Sequence, residues 1–233
     1  MKLCILQTDS VLPEYQAEHG DYPGMFADLL ADADAEIVTV DARQAPPEAG
    51  FAQGYVITGS RNSVYEELPW LPALVEFVRG EMAAGRPVVG ICFGHQLIAH
   101  YFGGEVRKAE AGWAVGVHET RVVRTLPWMD PKLGSFRILS THQDQVVRLP
   151  DGAELIAETP FCPVSGFVIG DVALCFQGHP EFDKPYAEAL MHRRRELIGE
   201  RTFAGGIESL AMPLDRKDVA RWMLRFLGME AGA

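Results

Sequence analysis

Residues 87–96 read Pro87-Val88-Val89-Gly90-Ile91-Cys92-Phe93-Gly94-His95-Gln96, and Leu97-Ile98-Ala99-His100-Tyr101-Phe102 follows in a helix-like pattern. An apolar run that ends on a cysteine, with glycine two residues before and two after, and passes at once into a helix has the outline of a nucleophile elbow. The glycines let the backbone turn sharply without Cβ clashes. The helix N-terminus offers unpaired N–H groups and partial positive charge, which favour thiolate over thiol. In its serine form the same geometry lifts a nucleophile above a parallel sheet. Cys92 is the first candidate for chemistry.

The flanking sequence fits such a sheet. Apolar β-branched runs at 3–7, 36–40, 54–58 and 87–91 alternate with helical patterns at 24–30 and 68–82. In the second helix Leu71, Leu74, Val75, Val78 and Met82 recur at helical spacing. Alternation of this kind implies βαβ units and a parallel sheet covered by helices on both faces. The near-continuous apolar strands fit burial on both sides. From 103 to about 176 the texture changes to short alternating runs with few helix signals. This stretch reads as an antiparallel extension that returns to the main sheet at 172–177. Helical patterning resumes at 184–197 and 215–227, with a loop expected at 199–213 around Gly205-Gly206. With no internal repeat, low-complexity tract or linker, residues 1–233 are expected to form a single domain.

Bulk properties narrow the function. A chain of 233 residues with 48% hydrophobic and 23% charged residues has material for a core and an ordinary soluble surface. A net charge of −11 argues against nucleic-acid binding, which is built on clustered Lys and Arg. The densest basic cluster, Arg193-Arg194-Arg195, lies among Glu188, Glu196 and Glu200 and reads as a solvated helix face. The apolar start, Met1 to Thr8, is too short for a signal segment, and no run approaches the ~18 apolar residues of a membrane span. Four cysteines without regular spacing form neither a disulfide framework nor a zinc site. A cytoplasmic protein without metal or cofactor is expected.

A cysteine nucleophile needs a base, and the base needs an orienting partner. Phe176-Gln177-Gly178-His179-Pro180-Glu181-Phe182 supplies both. His179 follows the last expected strand, at the sheet edge where the elbow opens. Pro180 biases His179 toward extended backbone, in which residues two apart project to the same side. Glu181 can then hold Nδ1–H and leave Nε2 facing the thiol. Taken alone, the segment reads equally well as a capping histidine and a glutamate opening the next helix; the elbow favours the base. His95 and His100, on the elbow helix, are assigned to packing or backbone hydrogen bonding. His142, in the polar run Ser140-Thr141-His142-Gln143-Asp144-Gln145, is assigned to substrate binding or local structure. Acyl transfer also needs oxyanion donors. The N–H of Phe93 is one candidate, and the glycine turn Thr58-Gly59-Ser60-Arg61 holds the other. Cys4, Cys162 and Cys175, in apolar runs, are read as buried and inert.

Three motifs in order, Gly90-Ile91-Cys92-Phe93-Gly94-His95-Gln96, Thr141-His142-Gln143-Asp144-Gln145-Val146 and Gly178-His179-Pro180-Glu181, resemble the class I (triad) glutamine amidotransferases, the GMP-synthase-like branch most closely. The resemblance spans 54–181 in its motifs and is expected to extend over the whole chain. It implies a flavodoxin-like doubly wound sheet, with Cys92 as nucleophile, His179 as base and Glu181 as orienter. It also implies Gly59 and Phe93 as oxyanion donors, and Gln96, Thr141 and His142 close to a bound glutamine. No phosphate-binding Gly-rich loop of an ATP-pyrophosphatase domain follows, so any synthase or acceptor partner would be a separate subunit. The segment 13–22 looks like an extra loop over the active site. Stand-alone relatives of this look include γ-glutamyl peptidases acting on glutathione conjugates. The expected activity is hydrolysis of a γ-glutamyl amide through a Cys92 thioester, with glutamine as the default substrate. A γ-glutamyl peptidase and a non-catalytic binding protein of the same fold are the alternatives.

Overall fold

The computed structural model describes residues 1–230. The first hundred residues form β1 (Lys2–Gln7), α1 (Pro13–His19), α2 (Tyr22–Leu29), β2 (Glu36–Asp41), β3 (Gly54–Ile57), α3 (Leu71–Ala83), β4 (Val88–Ile91) and α4 (Phe93–Tyr101). Then follow β5 (Glu105–Lys108), β6 (Ala114–Val122), β7 (Ser135–His142), β8 (Asp144–Arg148), β9 (Ala153–Glu158), β10 (Gly166–Ile169) and β11 (Ala173–Phe176). The chain continues through α5 (Lys184–Arg193), α6 (Arg195–Ile198), α7 (Glu200–Ser209) and α8 (Arg216–Phe226).

Nine strands make one sheet in the order β2-β1-β3-β4-β11-β10-β9-β6-β7. The first five run parallel, in the flavodoxin-like order with β11 as the fifth strand, and the other four continue as an antiparallel wing. The central strands β3, β4 and β11 are apolar and buried along their whole length because both faces are covered. In β1, Leu3 and Ile5 join Phe26 of α2 and Trp222 of α8 on one side, while Cys4 and Leu6 join Leu74 and Val78 of α3 and Leu97 of α4 on the other. Burying each such side chain contributes about 1.5–3 kcal/mol. No helix among the described residues is long and apolar enough to cross a membrane.

The topology sets the site. β4 and β11 are parallel neighbours, with Ile91 opposite Phe176, so residues following either strand emerge at the same carboxyl edge. β3 pairs with β4 on its other side, and its exit loop opens there too.

Several elements differ from the sequence expectations. The segment 199–213 is mostly the helix α7. Gly206 does not break it: a Cβ there would lie 2.5 Å from Met191 Sδ and 2.8 Å from Val115 Cγ2, so glycine permits close contact with α5 and β6. The segment 13–22 is α1 and the start of α2, bounded by Pro13 in the first turn and Gly20 at φ 74°. α1 has no fully buried residue, and hence no apolar stripe to read. The helix expected over 184–197 divides at Arg194. β8 leaves the main sheet to pair with β5. Cys162 sits between β9 and β10 rather than in an apolar strand-like run, although it is buried.

Candidate active site

Cys92 lies between β4 and α4 with φ 50° and ψ −95°, and it alone among the described non-glycine residues has positive φ. Such backbone is strained by about 1–3 kcal/mol and persists only where its surroundings hold it. The flanking glycines explain how the turn closes. A Cβ on Gly90 would lie 2.6 Å from the Gly94 carbonyl carbon, and a Cβ on Gly94 would lie 2.7 Å from the Ile57 carbonyl oxygen. α4 therefore sits on the strand ends more closely than side chains allow.

His179 is anchored by its N–H, which donates to the Leu139 carbonyl at 2.7 Å. Its Nδ1 donates to Glu181 Oε1 at 2.7 Å, with both side chains buried. The Arg216 guanidinium fixes this segment from behind, donating to the carbonyls of Pro180 at 3.0 Å and Glu181 at 2.8 Å. The imidazole stacks on Phe182 with centroids 4.0 Å apart. Burial pushes the imidazole pKa down, but the Glu181 carboxylate and the adjacent Cys92 sulfur outweigh burial and raise it to about 10. Nε2 has no other hydrogen-bond partner among the described residues and is left to the neighbouring Cys92 sulfur.

Gly59 faces the same point. A Cβ there would lie 2.8 Å from His179 Cε1 and 3.6 Å from Cys92 Cβ. The backbone N–H groups of Gly59 and Phe93 have no hydrogen-bond acceptor among the described residues. Phe93 is the first residue of α4, where a helix leaves its amides without internal partners. Gly59 and Phe93, each with an unpartnered amide, thus both neighbour Cys92.

A cleft of about 210 Å3 opens from Cys92, bordered by Gln96, Thr141 and His142. Gln96 Nε2 donates to the Asp144 carbonyl at 2.8 Å and to Gln177 Oε1 at 3.1 Å. His142 Nδ1 donates to the Asp144 carbonyl at 3.0 Å. Burial holds His142 down at about 3, so it is neutral at neutral pH and the carbonyl fixes its tautomer. His95 packs fully buried against Phe167 and has no hydrogen-bond partner among the described residues.

Sequence reading missed other residues at the site. Arg193 and Arg195 pair with Glu14 and Glu200 at the surface, but Arg194 is not part of a solvated face. At the break between α5 and α6 it turns into the cleft, donates to Thr141 Oγ1 at 2.7 Å and lies 5.4 Å over the Trp113 ring. Gln177 is buried beside Gln96, and Ser63 Oγ donates to an Asp144 carboxylate oxygen. Asp9 and Thr8 brace the Gly59 loop from the end of β1. These partners lie tens of residues apart in the chain, and no local spacing announces them.

Sheet order and cysteine elbow together define a flavodoxin-like α/β protein with a cysteine and a histidine–glutamate pair gathered at its carboxyl edge. Residues 28–194 match the family described as glutamine amidotransferase class-I, and the chain belongs to that family. Gamma-glutamyl peptidase 4 of Arabidopsis thaliana is 32% identical over 176 residues, covering 71% of this chain and 70% of that protein. A glutamine amidotransferase-like protein of Schizosaccharomyces pombe is 28% identical over 246 residues, covering 97% and 98%. The GMP synthase (glutamine-hydrolyzing) of Aeropyrum pernix is 30% identical over 187 residues, 77% of this chain but 35% of that protein. In fold, a solved glutamine amidotransferase of Thermotoga maritima superposes with a TM-score of 0.73 at 19% identity, over 97% of this chain and 96% of that one.

Proposed function

We propose that this protein hydrolyses γ-glutamyl amides through a thioester on Cys92, with Cys92, His179 and Glu181 acting as a triad. The observation that carries the reading is His179, held by Glu181 at 2.7 Å and adjacent to the sulfur of a strained elbow cysteine. Cys92 sulfur attacks the γ-carbonyl carbon, and the oxygen takes up negative charge beside the N–H groups of Gly59 and Phe93. His179 passes its proton to the departing amine as the C–N bond breaks. Water then attacks the thioester with His179 as base, releasing the γ-carboxylate and restoring the thiol. Gln96, Thr141 and His142 border the cleft that would hold the glutamyl part.

Glutamine, losing ammonia, is the first substrate of this reading, and a synthase subunit that consumes the ammonia is the partner it proposes. The cleft favours a second. Arg194 and Lys108 line it together with Trp113, and a cationic, aromatic wall suits a leaving amine that carries a carboxylate. Likeness to gamma-glutamyl peptidase 4 supports that choice. Four unpaired cysteines suit a reducing compartment, so the reading includes the cytoplasm, with residues 1–233 acting as one catalytic unit. Purified protein given glutamine and glutathione in parallel tests it: ammonia or cysteinylglycine should appear at a rate that Cys92→Ala abolishes. Release of neither product, or equal release by Cys92→Ala, overturns the reading.

A further inference from the structure

We propose that Asp9 is a positioning residue for the oxyanion site: through Arg61 it clamps the loop that presents the Gly59 N–H to the reacting carbonyl. The inference rests on the hydrolase reading of Cys92. Asp9 is the second residue past β1, it is only 7% exposed, and its carboxylate holds the loop leaving β3 while Oδ1 also accepts from the Ser10 N–H at 2.8 Å. Oδ2 accepts from the Arg61 backbone N–H at 2.9 Å and from Arg61 Nε at 2.7 Å, while Oδ1 accepts from Arg61 Nη2 at 2.8 Å. Arg61 Nη2 also donates to the Ser10 carbonyl at 2.7 Å, closing the fork on the β1 end. On the near side of the glycine, Thr8 Oγ1 donates to the Gly59 carbonyl at 3.0 Å, and the Thr8 N–H donates to Thr58 Oγ1 at 3.0 Å.

Gly59 is thereby bracketed, with Thr8 holding its carbonyl and Asp9 holding the amide two residues on. Its own N–H is left unpartnered among the described residues. Glycine has the greatest freedom to rotate its peptide planes, so a donor at this position needs external restraint to stay aimed. Preorganised donors stabilise an oxyanion because they need no rearrangement during reaction. A bidentate guanidinium–carboxylate pair supplies directional restraint that a single ion contact lacks. Arg43 backs the pair, with Nη1 3.9 Å from Asp9 Oδ1 and Nη2 donating to Ser10 Oγ at 3.1 Å. The ends of β1 and β2 thus brace the exit of β3.

The test compares wild type with Asp9→Asn and Asp9→Ala by steady-state kinetics and by the rate at which iodoacetamide alkylates Cys92. Alkylation displaces iodide from a saturated carbon and needs no oxyanion donor, whereas thioester formation does. The expected result is a fall in kcat of roughly ten- to a hundredfold, somewhat less than the loss of an oxyanion donor itself, with KM and alkylation rate within about threefold of wild type. Unchanged kcat overturns the clamp. So does a parallel fall in alkylation, which marks general damage to the elbow, or an effect confined to KM, which marks a substrate contact. Wild type inert toward both glutamine and glutathione is a different outcome: it overturns the hydrolase reading and this role with it.

Discussion

Gly59 and His179 approach so closely that a side chain between them is sterically excluded, since a Cβ on Gly59 would lie 2.8 Å from the imidazole Cε1. The same Cβ would stand 3.6 Å from Cys92 Cβ, so one glycine keeps open the space between imidazole and cysteine, which the proposed reaction would fill with a carbonyl. His179 cannot retreat freely, because it is stacked on Phe182 and tied to Glu181. Gly59→Ala must therefore displace the loop or the imidazole. Misplacement by about 1 Å can cost about a hundredfold in rate. We expect kcat to fall roughly ten- to a hundredfold, with little change in melting temperature. Kinetics at wild-type level would mean that the loop yields without moving its N–H.

The triad assignment separates its members by severity. Cys92→Ser and Cys92→Ala should remove activity by several orders of magnitude, as loss of a triad nucleophile does. His179→Ala should be comparable, because it deletes the proton carrier. Glu181→Gln keeps the histidine but weakens its orientation, so its loss should be smaller than that of His179→Ala yet up to about four orders of magnitude. Turnover by the three variants, with circular dichroism to check folding, reads the order. A silent Glu181→Gln, or His142→Ala proving worse than His179→Ala, would reassign the base.

Much of this was legible because it is local. Gly90, Cys92 and Gly94 carry the elbow within five residues, His179 and Glu181 are two apart, and alternating strands and helices require a parallel sheet. What was hidden depends on long-range contact. Asp9 reaches Arg61 across 52 positions, and Arg194 reaches Thr141 across 53. Arg194 was concealed further by its neighbours, whose surface ion pairs are what a charge run suggests. The glycine pair at 205–206 misled for the same reason. Whether glycine breaks a helix or lets it press on a strand depends on Val115 and Met191, which sequence spacing does not reveal.

Acid should destabilise the fold through buried neutral histidines. Burial, reinforced by neighbouring His142, pushes His95 down to about 3, against about 6.5 for an unfolded histidine. The unfolded chain therefore binds the proton first. The stability His95 contributes is fully present above about pH 6.5 and is lost progressively as pH falls toward 3. Between pH 7 and 4.5, wild type should lose about 2 kcal/mol more than His95→Leu, read from urea midpoints at both pH values. Equal losses would show that His95 is not buried neutral.

Alkylation should discriminate among the four thiols. Burial pushes Cys4 up to about 12, Cys162 up to about 11 and Cys175 well above the ordinary thiol range, whereas Cys92 opens on the cleft. Only thiolate reacts, so limited iodoacetamide followed by peptide mapping should find Cys92 modified roughly tenfold faster than any other cysteine. A glutamine analogue with an electrophile at the γ-carbon should label faster still. Uniform labelling would remove the case for an activated nucleophile and bring the non-catalytic alternative forward.

Under the proposed function, Arg194 should distinguish the two leaving amines. Its guanidinium is held by Thr141 Oγ1 and the Trp113 ring on the wall of the cleft that holds Cys92. Ammonia from glutamine offers nothing for a cation to bind, whereas cysteinylglycine from glutathione ends in a carboxylate. A charge-assisted hydrogen bond contributes about 1.5–3 kcal/mol, which is roughly tenfold or more in affinity. Arg194→Gln should therefore lower kcat/KM for glutathione about tenfold or more, mainly through KM, while changing that for glutamine less than threefold. Glutathione should also protect Cys92 from alkylation better than glutamine does, and the substitution should erase that advantage. Equal effects on both substrates would make Arg194 a support for Thr141 alone and return glutamine to first place.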